Sequence, residues 1–456
     1  MIALWFAALI VALVIYHRLP PRPQICWLLG VSLAFYAWWA WRFLPALVLL
    51  SAASYGIARR IAQAPPQPGR RAWLWFGVAL NVGTLALLRY GYRGAPFAEP
   101  FAVLGVSFYS LQTMAYLFDT YSGALRLPHR PVDFAVYVAY FPKMAAGPIE
   151  RPQSFLRQLA EARIVDDARL GRAATLIAVG LTRKLVLADL LAARLPTAAL
   201  AAPAASDRLM LVTAILGYAF VLYNDFAGYT SIARGVSALF GIELSRNFAQ
   251  PFFAHSFTDL WNRWHITFSH WLRDYVYLPA SRALLRRDLS RGNLANLFVP
   301  PLVTMLACGL WHGASVHMLL WGGLHGVYLV AQRIGMLRWP PRPGAALPAW
   351  RRRIGVAIVF SLSCWTLVAL LLPTAQAMEV WWRLASGPMG ELPDGRLLLY
   401  TLPSLWLDWM QIRHGEETVF LSWPRPARAV LLALAVLLWC AASAATPARP
   451  FVYQGF

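Results

Sequence analysis

The sequence predicts an all-α polytopic membrane protein of about ten to twelve transmembrane helices, with further helices lying in the interface or re-entering the bilayer. Three observations predict it. Hydrophobic residues make up 59% of the 456 positions and charged residues 13%, against about 25% charged in soluble domains. The apolar residues are gathered into runs of roughly spanning length. Arginines cluster between those runs, as the positive-inside rule expects of cytoplasmic loops.

Taken in order, apolar runs near 2–16, 24–41, 43–57 and 72–89 read as the first four spans. The link "HRLPPRPQ" (His17–Gln24) is basic, and "ARRIAQAPPQPGRRA" (Ala58–Ala72) carries four arginines and three prolines. Both read as cytoplasmic, which puts the N-terminus outside. The first run has no basic residue before it and His17 and Arg18 after it. A cleavable signal has the opposite polarity, so this run is expected to stay as a helix.

The middle of the chain is less regular. "GVSFYSLQTMAYLFDTYSG" (Gly105–Gly123) is apolar but rich in hydroxyls, and "VYVAYFPKMAAGPIERPQSF" (Val136–Phe155) is broken by prolines and Gly147. Irregular backbone at membrane depth is tolerated only where protein or a wet cavity covers it, so both are expected to line an interior. Residues 160–195 are amphipathic. A span is expected at about 209–224, ending in "YNDFAGYTSIARG" (Tyr223–Gly235). Phe257, Trp261, Trp264, Phe268, Trp271 and Tyr275 then recur at helical spacing, predicting one aromatic-faced helix. Asp259, Asn262, Arg263, Arg273 and Asp274 make that helix too polar to span, so it is expected to be interfacial or partly re-entrant.

"RALLRRDLSRGN" (Arg282–Asn293) and "RWPPRPGAALPAWRRR" (Arg338–Arg353) read as further cytoplasmic loops. Spans follow at about 297–313, 315–333, 354–373, 396–411 and 427–445. Arg425 and Arg428 precede the last of these, which places the tail "TPARPFVYQGF" (Thr446–Phe456) outside. No internal repeat and no separate soluble segment is evident.

The formal charge of +21 would suggest a nucleic-acid partner on a soluble protein. Here loop arginines account for it, and no nucleic acid is expected. Lys143 and Lys184 are the only lysines. Cys26, Cys308, Cys364 and Cys440 lie in or beside apolar runs without CxxC spacing and read as small hydrophobes. There is no Gly-rich phosphate loop, GxSxG or HExxH. In "GLWHGASVHMLLWGGLHG" (Gly309–Gly326), His312, His317 and His325 are not spaced as a zinc site. No permanently bound cofactor is therefore expected.

What remains are ionisable groups inside apolar sequence, which mark function by default. His312 lies beside Trp311 and between Gly309 and Gly313, which allow close helix approach. Apolar surroundings favour the neutral imidazole, which accepts a hydroxyl proton as a general base. The alternative is a histidine bonded to a neighbouring helix. His265, with Arg263, Thr267 and Asp274 as possible partners, carries the same two readings. His270, His317 and His325 read as packing or polar bridges.

At these residues the chain resembles the membrane-bound O-acyltransferases, specifically the bacterial branch of alginate O-acetyltransferases and the D-alanyl-transfer protein of teichoic acid modification. The blocks that carry the resemblance run in the family's order: "GVSFYSLQTMAYLFDTYSG", "YFPKMAAGPIERPQSF", "DFAGYTSIARGVSALFGIELSRNFAQPF", "LWNRWHITFSHWLRDYVYLP" and "GLWHGASVHMLLWGGLHG". The resemblance implies a catalytic core over 101–333, flanked by N-terminal helices (1–100), C-terminal helices (334–445) and an extracytoplasmic aromatic tail (446–456). It implies a funnel through the bacterial inner membrane around a central histidine. An acyl group, acetyl by preference, would pass from a cytoplasmic thioester such as acetyl-CoA to an extracytoplasmic polysaccharide, with a periplasmic SGNH-type acyltransferase as partner.

The family's catalytic histidine aligns with His312 and its second histidine with His265, on the tunnel wall or donor side. Asp225 in "NDFAGY" and Asn247 in "RNF" match further motif positions, and Trp311 and Arg263 support the two histidines. The tail "PFVYQGF" resembles the aromatic C-terminal motif of the alginate-type branch. It makes Tyr453 a candidate acyl relay, the alternative being an interfacial anchor. The sequence departs from the branch after "YLP", where "ASRALLRRDLSRGN" stands in place of a Gly-Gly-Asn-Arg run, so donor identity stays open. D-alanyl transfer from a carrier protein and peptidoglycan or lipid O-acylation are the nearest alternatives. A proton-coupled transporter is the remaining one, although the paired halves common in transporters are not seen.

Overall fold

A computed structural model describes residues 2–64, 68–91, 105–125, 129–286, 294–340, 347–391 and 395–446. Among them all regular structure is helical. Six helical stretches are long and apolar enough to cross a membrane: Pro21–Gln63, Gly69–Tyr90, Arg208–Leu239, Leu294–His312, Ala349–Leu371 and Arg425–Ala445. This is an all-α, multi-pass membrane protein. The chain divides into two compact units, Met1–Gly180 with Tyr229–Arg246, and Leu181–Gly228 with Asn247–Val452.

The first unit opens with α1 (Ile2–Arg18), α2 (Pro21–Ala40), α3 (Leu44–Gln63) and α4 (Gly69–Tyr90). The link expected to separate the first two spans is only Leu19 and Pro20, because Pro21 suits the first turn of α2, where its missing N–H costs nothing. Then come α5 (Val106–Ser122), α6 (Pro131–Ala139), α7 (Phe141–Met144), α8 (Pro152–Ala160) and α9 (Asp167–Leu181). Every residue from 106 to 117 of α5 is buried, and the broken stretch 142–150 is buried almost throughout. Their polar groups are answered within the unit. Lys143 donates to the Gln112 side chain and to the Tyr137 carbonyl, and Glu150 accepts from Ser245 N–H at 2.6 Å and Ser245 Oγ at 3.0 Å. Arg163 ties this unit's ends together, donating to Tyr16 Oη (2.8 Å), Gln24 Oε1 (2.9 Å) and the Pro21 carbonyl (2.7 Å).

The second unit begins with a π-helical turn, Thr182–Asp189, followed by α10 (Leu190–Ala192) and α11 (Ala198–Ala201). The long helix α12 (Arg208–Leu239) starts in this unit and ends in the first. It does not stop near residue 224 as expected. Tyr223, Asn224 and Asp225 are buried with protein partners, so the chain has no need to leave the helix there.

The aromatic segment is also not one helix. It forms α13 (Phe257–Trp261), a break, α14 (Ile266–Leu272), a π-helical turn Arg273–Tyr277 and α15 (Leu278–Leu285). The break falls at His265, whose φ of 44° and ψ of 51° are left-handed. Such a conformation interrupts the i, i−4 ladder and is costly for a residue with a Cβ. Asn247 supplies the compensation. Its carbonyl accepts from Ile266 N–H (2.9 Å) and its side-chain oxygen from Thr267 N–H (3.2 Å), capping the start of α14 from outside the helix.

α16 (Leu294–His312) and α17 (Val316–Arg338) form a hairpin, followed by α18 (Ala349–Leu371), α19 (Thr374–Ser386), α20 (Leu398–His414) and α21 (Arg425–Ala445). Of the spans expected from sequence, α1 and α20 have 17 residues and α17, at 23, is interrupted by polar and glycine positions. None of the three meets the length and apolarity that the six stretches do. Cys308 and Cys364 are buried as expected, whereas Cys26 and Cys440 face outward from their helices.

The α16–α17 contact depends on two glycines. A Cβ on Gly309 would overlap the Met318 carbonyl, and a Cβ on Gly322 would overlap the Met305 carbonyl. A Cβ on Gly313, expected to share that role, would meet side chains alone, the flexible Met318 and Ser315 Oγ. Gly322→Val is therefore expected to force the hairpin apart at a cost of about 1–3 kcal/mol. Thermal unfolding in detergent checks this, with Gly323→Ala as the tolerated control, since a Cβ there meets only Leu306 at 3.9 Å.

Candidate functional site

His265 and His312 are brought onto one aromatic cluster within the second unit. The reversal at His265 turns its ring inward, where it is 1% exposed. Phe226 of α12 meets it edge-on at 4.9 Å between centroids, Phe268 at 5.0 Å and Trp311 at 6.1 Å. His312 is the last residue of α16 and is half-buried. Its ring contacts Trp311 at 4.9 Å, Trp321 at 5.1 Å and Phe268 at 6.2 Å, all edge-on. Phe268 and Trp311, 4.2 Å apart, thus touch both imidazoles. The helix end at His312 is followed at once by Gly313–Ser315 and α17, so the imidazole sits at the mouth of the hairpin rather than in mid-helix.

Hydrogen bonding fixes the His265 tautomer. Asn247 Oδ1 receives Thr267 N–H and Thr267 Oγ1–H (2.8 Å), so it acts as an acceptor. His265 Nδ1, at 3.3 Å from the same oxygen, must then be the protonated nitrogen, leaving the lone pair on Nε2. Asn247 Nδ2 has no acceptor among the described residues and is an available donor beside His265. Arg263 donates to Asp259 Oδ1 at 2.7 Å and to the Ala249 carbonyl at 3.1 Å, while Ala249 N–H donates to the Arg263 carbonyl at 2.9 Å. Arg263 therefore holds the strand of chain that carries Asn247 against the turn that carries His265. Its charge is spent on Asp259.

Asp225 lies in a different arrangement. Its carboxylate accepts from Lys184 Nζ at 2.6 Å, and Lys184 also pairs with Asp189 at 2.9 Å. The neighbouring Arg183 pairs with Asp408 of α20 and donates to Asn224 Oδ1 at 2.8 Å. Tyr223 Oη donates to the same Asp408 oxygen at 2.9 Å. Successive residues of the π-helical turn thus grip successive residues of α12. The next residue along α12 is Phe226, which packs on His265, so the network holds the turn of α12 that carries this ring.

His317 and His325 are placed as the sequence suggested, as polar bridges. His317 Nδ1 is 3.1 Å from the Ala369 carbonyl, and His325 Nε2 is 3.1 Å from Thr366 Oγ1. Tyr453 lies outside the described residues. Sequence reasoning missed Lys184, Arg183, Asp189 and Asp408, and it missed the clamping role of Phe226, Phe268 and Trp321. Only the rarity of lysine pointed toward Lys184. Among the described residues no group of three His, Cys, Asp or Glu side chains is arranged to hold a metal ion.

A polytopic helical protein with two imidazoles on one buried aromatic cluster, and with irregular backbone stabilised by side-chain caps, belongs to the class of integral membrane proteins that keep polar chemistry inside a helical core. Within that class, the chain belongs to the MBOAT, membrane-bound O-acyltransferase, family, whose model matches residues 92–373. It is 32% identical over 339 residues to a protein of Azotobacter vinelandii named a probable alginate O-acetylase, covering 70% of this chain and 65% of that one. It is 30% identical over 364 residues to a peptidoglycan O-acetyltransferase of Helicobacter pylori, covering 70% and 66%. A teichoic acid D-alanyltransferase of Streptococcus thermophilus is 30% identical over 233 residues, covering 50% and 56%. The chain thus spans about two thirds of the length of the first two relatives.

Proposed function

We propose that this protein is an O-acyltransferase that carries an acyl group, acetyl by preference, from a thioester on the cytoplasmic side to a hydroxyl acceptor on the far side of the membrane. The observation that carries the reading is the shared Phe268–Trp311 contact that holds His265 and His312 on one cluster inside the family-matched region. In this reading His312 is the general base. Its neutral imidazole takes the hydroxyl proton as the oxygen attacks the thioester carbonyl. The carbon–sulfur bond breaks, and the leaving thiolate takes the proton back. His265, held by Asn247, lines the donor side, with Arg263 and Trp311 supporting the two histidines and Asp225 orienting α12.

The core over 101–333 carries this chemistry, as a funnel closing on His312, and the flanking helices anchor it in a bacterial inner membrane with both termini outside. Acetyl-CoA is the proposed donor and an extracytoplasmic polysaccharide the acceptor, with a periplasmic SGNH-type acyltransferase as partner. The relatives named for alginate and peptidoglycan O-acetylation support acetyl over D-alanyl. The test is turnover in proteoliposomes with radiolabelled acetyl-CoA set against a D-alanyl carrier-protein thioester. Acetyl consumption with label appearing in a glycan supports the reading, and consumption of the D-alanyl donor alone overturns it.

Tyr453 is proposed as an acyl relay between His312 and the partner. Tyr453→Phe is then expected to abolish both transfer and a labelled acyl-protein adduct that intact mass spectrometry places on that residue. Full transfer by the variant removes Tyr453 from the scheme.

A further inference from the structure

A second set of buried polar atoms lies around His325, which has Trp321 as a neighbour in common with His312. Trp321 contacts His312 at 5.1 Å and His325 at 5.0 Å, so it touches both imidazoles. His325 is 4% exposed and is surrounded by rings: Trp261 at 5.4 Å, Tyr328 at 5.8 Å and Phe257 at 6.2 Å, besides Trp321. Three buried polar atoms of this cluster have no partner among the described residues: His325 Nδ1, Trp261 Nε1 and Tyr328 Oη. Leaving one such group unsatisfied costs about 1–3 kcal/mol, so three around one ring mark a place built to be filled.

The chemistry of the filler follows from the hydrogen-bond roles. Thr366 Oγ1 is 3.0 Å from the Leu362 carbonyl and 3.1 Å from the Ser363 carbonyl, which take its single hydrogen. With its hydrogen on the helix carbonyls, this oxygen accepts from His325 Nε2, at 3.1 Å. This puts the ring hydrogen on Nε2 and a lone pair on Nδ1. The cluster thus offers one nitrogen acceptor, the indole N–H as a donor, and a phenol that does both. A hydroxyl satisfies this set, donating to His325 Nδ1 and accepting from Trp261 Nε1–H or Tyr328 Oη–H. No charged side chain takes part, and the neighbours are aromatic rings, which suits the C–H face of a hydroxylated ring rather than a carboxylate or phosphate.

We propose that His325, Trp261 and Tyr328 form a hydroxyl-binding subsite that seats the ring of the acyl acceptor next to Trp321, with a further hydroxyl of that ring presented to His312. The proposal rests on the acyl-transfer reading for the word acceptor but not for the binding itself. A sugar ring, which carries several hydroxyls, has this chemistry, whereas a simple phenol, with one, does not.

The test is equilibrium binding by the full-length protein in lipid nanodiscs, with a neutral glucose tetrasaccharide as the probe and p-cresol as the single-hydroxyl control, without any thioester. Wild type is expected to bind the saccharide in preference to p-cresol. Tyr328→Phe keeps the ring and removes only its hydroxyl, Trp261→Phe keeps an aromatic face while removing the indole N–H, and each is expected to weaken that binding about tenfold, the loss of roughly one hydrogen bond. Saccharide binding supports the subsite, and p-cresol binding as tight as that of the saccharide overturns it. Binding of neither compound, or equal affinity in both variants and wild type, overturns the proposal. In turnover assays the same variants are expected to raise acceptor KM about tenfold with donor KM within twofold. A wild type that binds the saccharide but turns over no thioester would sink the acyl-transfer reading and leave the subsite standing.

Discussion

His312→Ala is expected to lower acyl transfer from a thioester by a factor of about 10²–10⁴, the usual contribution of a positioned general base, while leaving the fold intact. The ring lies at the end of α16 and is only half-buried, in contact with Trp311, Trp321 and Phe268 by its edges. Its removal opens space beside a helix terminus rather than in the packed Gly309–Gly322 crossing. Unfolding temperature in detergent should therefore move little. His265→Ala is a useful contrast. That ring is fully buried and its left-handed backbone is tied to Asn247, so both stability and activity are expected to fall. Transfer by His312→Ala at the wild-type rate would remove this residue from the chemistry and leave it a packing histidine.

Lys184→Met is expected to cost about 3–5 kcal/mol of stability, because it strands Asp189 and Asp225 as buried carboxylates without their shared cation. The prediction has an internal ordering. Asp225→Asn keeps the Lys184–Asp189 pair and should cost less, and Lys184→Arg keeps the charge and should cost least. The pairing also fixes the turn of α12 that sets Phe226 on His265, so surviving Lys184→Met protein should show a lower kcat without a matching rise in donor KM. Fluorescence-detected size exclusion after heating, run beside turnover, reads both effects. Equal melting temperatures for Lys184→Met and wild type would show that the network contributes nothing net, which continuum arguments allow for buried pairs when they are exchanged as a whole but not when one partner is removed.

Much of the site was legible in the chain. "RNF", "RWH" and "GLWHG" named Asn247, Arg263, His265, Trp311 and His312, and the structure brings all five into one unit. Asp225 was legible as a motif residue, but its partner was not, since Lys184 lies 41 positions away on a turn with no motif of its own. Periodicity misread the aromatic segment because spacing of 3 and 4 is satisfied equally by one helix and by several short helices in near register. The deciding contact, Asn247 to the amides of Ile266 and Thr267, is a tertiary one. The tail with Tyr453 is where sequence alone speaks.

By itself the sequence determined that the chain is helical and membrane-embedded, because composition and run length fix how the backbone must satisfy its hydrogen bonds in lipid. It also determined which histidine deserves first attention, through motif residues local in the chain. Only the tertiary structure decided where helices break, which glycines close the α16–α17 crossing, and that both lysines are buried in polar networks. Those outcomes depend on partners far apart in sequence. A buried charge or a left-handed turn is tolerable only when a distant residue supplies the compensating bond, and no local pattern encodes that partner.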